Sequence, residues 1–396
     1  MGRDYIYMDH AATTPMRPEV VEAMRPHFGD RFGNPSSVHG QGRAARSALE
    51  EARNRLAAAI GARRREIVFT GGGTEADNLA VLGAWRRAAR LARERAAVAP
   101  GVVCSAVEHS AVLRSAEQAA REGAVLILLA VDEHGRVQTD ALAEALDTGP
   151  AIVSVMWGNN EVGTLQPVHE IAHRCGKAAT LFHTDAVQAL GKVPVRVDAC
   201  ACDLLSMSSH KLGGPQGVGA LYVRTGTELD PVVYGGGQEN GIRSGTHNVA
   251  GAVGMAVAAE LAVAELDAES ARLARLRDRL EAALRERVEG LDVHGAGGDR
   301  LPQILNVRVT GIQADAALLA LDAEGLCVST GSACKSGSFK PSHVLSAMGR
   351  FHEDDDEGMP AVIRFSLGHT TTEAEVDAVA ERFPRAVERL RELALT

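Results

Sequence analysis

Three short segments combine residue types that can hold and activate a small molecule. In TGGGTEADN (70–78), glycines follow an apolar run and lead into a helical pattern. Exposed backbone N–H groups and the positive helix end make such a turn an anion site. The spacing Gly71-x-Gly73-x-x-Ala76 also meets a relaxed dinucleotide fingerprint. That motif needs an acid about 20 residues on at a strand end, and Glu94 lies inside an Arg-rich helical pattern, so the dinucleotide reading is weak. A tight turn that binds nothing is the bland alternative. In TLFHTDAVQ, Asp185 and Gln188 close another apolar run. In an open α/β sheet the strand ends face the ligand crevice, and a buried acid there needs a partner. Taken alone, Asp185 reads better as a helix N-cap. In SMSSHKLGGPQGVGA (206–220), Ser208 and His210 can donate to phosphate oxygens. Lys211 beside them becomes a nucleophile and then a base when burial strips its proton. Five of the 42 basic residues are Lys (177, 192, 211, 335 and 340), so the search for a reactive amine is short.

Phosphate donors, a carboxylate for a ring nitrogen and a lysine amine at successive strand ends together describe a pyridoxal 5'-phosphate site. The elements that must carry them alternate along the chain. Short apolar runs at 66–70, 102–107, 124–131, 151–157, 180–186, 203–209 and 218–224 read as buried strands, with helical segments at 110–122, 139–147 and 168–176. An Ala-rich helix ends at Gly61, and another begins at Glu75. Such alternation predicts an α/β fold with a mostly parallel sheet covered on both faces. The 218–224 run follows its predecessor without a helix, which allows an antiparallel strand. From 249 to 290 the pattern reads as one long helical stretch bridging to a second domain. That domain holds strands at 304–310 and 362–368, a helix near 314–323 and a terminal helix from 373. EDDDE (353–357) reads as a solvated acidic turn.

The chain of 396 residues exceeds what one core usually supports, so two domains are expected. A formal net charge of −9 argues against coating nucleic acid, which needs clustered positive charge. The first residues, MGRDYIYMDHAATTP, lack the apolar core of a secretory signal, and no apolar run is long enough to span a membrane. The six cysteines do not form a disulfide scaffold, and Cys200 and Cys202 lack zinc spacing, so they read as structural. No metal is expected, and the sequence reads as a cytoplasmic protein with free thiols.

The chain resembles the NifS/IscS-type cysteine desulfurases of the class V aminotransferase family. The matching segments, in order, are YMDHAATTP (7–15), FGNPSSVHGQG (32–42), VFTGGGTEADN (68–78), VEHSAV (107–112), NNEVGTLQP (159–167), HTDAVQALGK (183–192), SSHKLGGPQGVGALYVR (208–224), GGGQENGIRSGTHN (235–248), STGSACKSGSFKPSHVL (329–345) and IRFSLG (363–368). The resemblance implies a fold-type I transferase, with a large domain at 15–260 built on a mostly parallel seven-stranded sheet. A smaller α/β domain would comprise 1–14 and 261–396 and carry a catalytic loop at about 329–360. Lys211 would hold pyridoxal 5'-phosphate covalently, Asp185 would pair with its ring nitrogen, and His109 would stack on the ring. Asn160 and Gln188 would lie near its phenolic oxygen. Gly73, Thr74, Ser208 and His210 would bind its phosphate, helped by Thr246 from the other subunit of a homodimer. Asn34 and Arg364 would hold the carboxylate of L-cysteine.

Cys334 would take the sulfur as a persulfide, leaving alanine, with Lys211 removing the Cα proton and His109 shuttling protons for the thiols. Its neighbours are Ser, Gly and Lys335, the setting of a reactive thiol, whereas Cys327 between Leu326 and Val328 reads as packed. The sulfur would pass to an acceptor protein, an iron–sulfur scaffold or a tRNA-thiolation relay. By this resemblance the stretch from Cys334 to Arg364 reads as a few residues longer than in IscS-like members, and the sequence ends at LRELALT (390–396) where housekeeping members would carry a scaffold-docking extension, so the identity of the acceptor is left open.

Overall fold

The computed structural model describes residues 5–330, 342–351 and 360–394. In chain order its strands are β1 (Ile6–Tyr7), β2 (Ile67–Thr70), β3 (Val102–Ser105), β4 (Leu126–Leu129), β5 (Ile152–Ser154), β6 (Leu181–Asp185), β7 (Leu204–Ser208), β8 (Gly219–Val223), β9 (Leu291–His294), β10 (Ile304–Gln313), β11 (Leu326–Cys327) and β12 (Pro360–Ser366). The main sheet has the order β2-β8-β7-β6-β5-β3-β4. Its strands are parallel except β8, which runs antiparallel to both β2 and β7. This is the mostly parallel α/β sheet expected, reversed where the sequence lacks a crossover helix.

Residues alternate along each strand between two faces, and each face has its own core. Val68, Val102, Cys104, Leu204 and Leu221 pack under the helices Gly73–Glu94 and Ser110–Arg121. Phe69, Val103, Val153, Phe182, Leu205, Met207 and Ala220 point the other way, onto Gly40–Ile60, Val168–Lys177 and Val249–Ala264. Every residue of β3, β5 and β7 is buried, which is why these strands read as continuous apolar runs rather than alternating ones.

The helical stretch at 249–290 departs from the single element expected. It breaks at Glu265 into Val249–Ala264 and Leu266–Arg287, bent by 74°. The first half is apolar on nearly all sides and sits in the large core, while the second turns Leu273, Leu276, Leu280 and Leu284 toward a separate core. That core lies on the antiparallel sheet β12-β10-β9, with Phe365 and Phe383 in edge-to-face contact. Arg17 clamps Glu265 at the bend through two hydrogen bonds of 3.0 and 2.7 Å. Strand β9, like β1 and β11, is absent from the sequence expectations because runs of two to four residues are too short to show a period. No single helix among the described residues is long and apolar enough to cross a membrane.

β1 pairs with β11, and the chain after it bridges Asp9 to Ser366, so the N-terminal segment runs along the second core before crossing to the main sheet. At the sheet's other margin, Gly219 of β8 pairs with both Thr70 and Ser208. A Cβ on Gly219 would stand 2.5 Å from the Gly72 carbonyl carbon. We expect Gly219→Ala to displace the 70–73 turn and cost about 1–3 kcal/mol, read as a lower urea midpoint.

Candidate active site

Because β8 is reversed, β2 runs the same way as β7, and the carboxyl ends of β2, β3, β5, β6 and β7 lie along one edge. Each of these ends delivers a side chain. β2 leads into Gly73 and Thr74, the segment after β3 into His109, and that after β5 into Met156 and Asn160. β6 ends on Asp185, with Val187 and Gln188 beyond, and β7 ends on Ser208, followed by His210 and Lys211. All of these, with Ala11 and Asp77, line one cavity of about 270 Å3. A second cavity of about 640 Å3 shares Gly73, Thr74, Ser208 and His210 and opens past Gly71, Glu75 and Gln216.

Lys211 Nζ donates to the Ala11 carbonyl at 2.6 Å and to that of Ala12. The N-terminal crossing therefore holds the amine over the strand ends. Burial, assisted by the Arg364 charge, pulls its pKa down to about 8, against the pull of Asp9 and Asp185. Asp185 is buried, and its Oδ1 accepts from the Val187 N–H at 2.8 Å. Burial raises its pKa, with the charges of His109 and Lys211 and the Val187 hydrogen bond acting the other way. Asp77 is buried too, and its Oδ1 finds no hydrogen-bond partner among the described residues. Desolvation and the neighbouring Asp185 push its pKa well up. Donor atoms of Asp77, His109 and Asp185 lie within 4.8 Å of one another. Behind them His183 bonds Ser154 at 2.8 Å and Ser206 at 3.0 Å, and burial lowers its pKa to about 3, so it is a neutral strut.

His109 caps the helix Ser110–Arg121, its Nδ1 accepting from the Ala111 N–H at 3.1 Å, which leaves the ring proton on Nε2. Burial and Lys211 lower the His210 pKa to about 4, and its Nδ1 lies 3.1 Å from the Thr13 hydroxyl. At Gly73 a Cβ would fill the cradle, meeting Val187 Cγ2 at 2.9 Å and Ser208 Cβ at 3.4 Å. Pyridoxal phosphate fits these residues. The glycine turn with Thr74, Ser208 and His210 suits an oxyanion, the poorly partnered buried carboxylates suit a protonated ring nitrogen, and the deprotonating amine suits its aldehyde.

Nine of the residues expected in the site (Gly73, Thr74, His109, Asn160, Asp185, Gln188, Ser208, His210 and Lys211) line this cavity. Three others stand outside its lining. Asn34 is exposed, its Oδ1 accepting from the Ser36 N–H at 2.9 Å. Thr246 is exposed on the segment after the 239–241 turn. Arg364 is buried, donating to the Asn160 carbonyl and to Asp9, each at 2.8 Å, while its Nε has no partner among the described residues. Cys334, Lys335 and the acidic 353–357 turn lie outside the described residues. The stems around Cys334 pack beside the site, on neighbours of its lining: Ser329 pairs with Arg364, Ser342 donates to buried Glu161, and His343 Nε2 lies 2.9 Å from the Glu108 carbonyl. Cys200 and Cys202 are buried in the large core, and Cys327 is half-buried. The sequence reading missed Asp77, although helical spacing from Gly73 and Thr74 places it on their face.

The description Aminotransferase class-V belongs to the family model that matches residues 6–379. The chain is similar to "Cysteine desulfurase IscS" of Dictyoglomus turgidum, at 44% identity over 98% of this chain and 95% of that relative. Among solved structures it is similar to a "NifS-like protein" (TM-score 0.87, 34% identity, 98% of this chain and 100% of that one). It is also similar to "SspA in complex with cysteine" (TM-score 0.77, 33% identity, 91% of this chain and 98% of that one).

Below a pKa of about 8 the Lys211 amine is an ammonium, and above it a free nucleophile. Reductive modification with a small aldehyde, followed by peptide mass spectrometry, is expected to label Lys211 at a rate that rises through pH 8 and then levels off.

Proposed function

The chain belongs to the aminotransferase class-V family, and from that premise we propose that it is a pyridoxal-phosphate-dependent cysteine desulfurase. It converts L-cysteine to L-alanine and leaves the sulfur as a persulfide on Cys334. The observation that carries this reading is the single cavity in which the Lys211 amine, the buried Asp185 carboxylate and the Gly73–Thr74 cradle meet. A relative named cysteine desulfurase and a solved NifS-like structure, each matching almost the whole chain, support it.

When bound, the cofactor supplies an electron sink that lets the substrate Cα release its proton. The chain's own residues do the rest. Lys211 would hold the cofactor through its amine, and Asp185 would keep a ring nitrogen protonated. Gly73, Thr74, Ser208 and His210 would hold the phosphate, Asn160 and Gln188 would serve the phenolic oxygen, and His109 would serve the ring. The Lys211 amine, as a free base, would take the Cα proton. Arg364 and Asn34 would orient the substrate carboxylate, for which a guanidinium whose Nε has no partner among the described residues is suited. His109 Nε2 exchanges protons with the substrate and enzyme thiols. The Cys334 thiolate would attack the substrate sulfur; as the S–S bond forms, the C–S bonding pair stays with the substrate carbon, which takes up a proton to become the methyl group of alanine. Thr330, whose neighbour Ser329 pairs with Arg364, is four residues before Cys334, a span of at most about 14 Å.

The same reading assigns 15–260 to a large domain and 1–14 with 261–396 to a small one; the core on β9, β10 and β12 supports the division, although Leu301, Ile304, Val344 and Leu345 of the second span pack in the large core. It includes a homodimer in which Thr246 serves the other subunit's phosphate. Exposed Phe28, Phe32, Val38 and Tyr234 supply apolar surface for such an interface. Free thiols at Cys104, Cys175, Cys200, Cys202 and Cys327 suit the reducing cytoplasm. The persulfide goes to an acceptor protein, an iron–sulfur scaffold or a thiolation relay.

Incubation with L-cysteine is expected to yield alanine and a mass increase of one sulfur on the Cys334 peptide. Lys211→Ala should lose the visible chromophore and all turnover. Cys334→Ala should keep the chromophore and lose sulfur release. Full sulfur release by Cys334→Ala would reject the persulfide route, and a wild-type chain that never takes up pyridoxal phosphate would reject the whole reading.

A further inference from the structure

Glu75 is the acid in the first turn of the helix Gly73–Glu94, one residue beyond Thr74. A carboxylate there suits the helix dipole but opposes a phosphate bound at the same turn. Arg243 meets it from a distant segment, Nε to Oε1 at 2.6 Å and Nη2 to Oε2 at 3.1 Å. Glu75 Oε2 also accepts from the Gly71 N–H at 2.7 Å, so the carboxylate is held on the outer side of the glycine turn. The pairing raises the Arg243 pKa, and that guanidinium stays charged throughout the working range.

The segment carrying Arg243 is itself anchored to β2, the strand that feeds the turn. Arg53 donates to both oxygens of Glu239, at 2.6 and 2.8 Å, and to the Ile67 carbonyl at 2.6 Å. Glu239 also accepts from the Phe69 N–H at 3.2 Å and lies 2.9 Å from His247 Nε2. Glu239 and Asn240 have φ of 49° and 55°, a left-handed conformation that costs energy outside glycine and that this buried ion pair maintains. The chain thus spends a buried network on placing Arg243 against Glu75.

We propose that Arg243 is a positioning residue for the phosphate turn: it neutralises Glu75 and fixes that carboxylate on Gly71, so that Gly73 and Thr74 present an electrically favourable face to the cofactor's phosphate. The proposal rests on the pyridoxal phosphate reading of the cavity and adds a residue to which no part of that reading gave a role.

The test uses the full-length chain, stripped of cofactor and titrated with pyridoxal 5'-phosphate, with pyridoxal, which lacks the phosphate, and with inorganic phosphate as competitor. Arg243→Gln is expected to weaken pyridoxal phosphate and inorganic phosphate about tenfold while pyridoxal changes less than about twofold. Glu75→Gln, which keeps an acceptor for Gly71, should bind pyridoxal phosphate as well as the wild type or better. The double variant should recover most of the loss. Equal weakening of both aldehydes by Arg243→Gln, unchanged phosphate affinity, or no recovery in the double variant would overturn the proposal. Should Arg243→Gln fail to fold, Glu75→Gln decides alone: weakened phosphate binding overturns the proposal, and retained or tighter binding supports it. A wild type that binds inorganic phosphate but neither aldehyde would sink the cofactor reading, and this proposal with it.

Discussion

Strand β8 enters the main sheet against the direction of its neighbours, and the site depends on that reversal. β2 and β7 flank β8 and so run the same way, which carries the glycine turn after β2 to the edge where β6 and β7 end. In register, Thr70, Gly219 and Ser208 form one row across the three strands. Gly219 is the member of that row with no room for a side chain, because the Gly72 backbone passes over it. An anion cradle, a buried acid and a lysine are brought together by strand direction alone.

Charge within the cavity follows from burial. Desolvation favours the neutral forms, so the lysine amine titrates lower and the two aspartates higher than they would in water. Asp77 and Asp185 have no cationic side chain hydrogen-bonded to them among the described residues. Such an arrangement is costly unless a cation completes it, and a protonated ring nitrogen is the cation that the surrounding donors accommodate. The Lys211 ammonium is held by two carbonyls of the N-terminal crossing, so that segment and the main sheet jointly set the state of the amine. Arg364, on the strand that bridges to Ser329, adds a positive charge that lowers the lysine further.

Much of this was legible in the sequence. The seven apolar runs between 66 and 224 correspond to β2 through β8, and strands buried on both faces are the easiest to read because no polar alternation interrupts them. The helical stretch at 249–290 was misread as one element, since local periodicity does not report which of two cores a turn of helix will meet. The reversal of β8 was only permitted by the absent crossover, and pairing settled it. Nine expected site residues share one cavity, while Asp77, whose helical spacing puts it on the face of Gly73 and Thr74, gains its meaning from burial beside Asp185.

The sequence by itself determined which residue types stand at strand ends, since glycines, a lone acid and a scarce lysine after apolar runs are local facts of composition and spacing. It also determined the family, through ten motifs in order. Tertiary structure alone decided what those residues feel. The depressed amine, the paired buried acids and the clamp of Arg243 on Glu75 depend on distances between segments up to 200 residues apart, as between Lys211 and Ala11. Such distances arise only when strands pair and water leaves, and desolvation has no signature in the order of the chain.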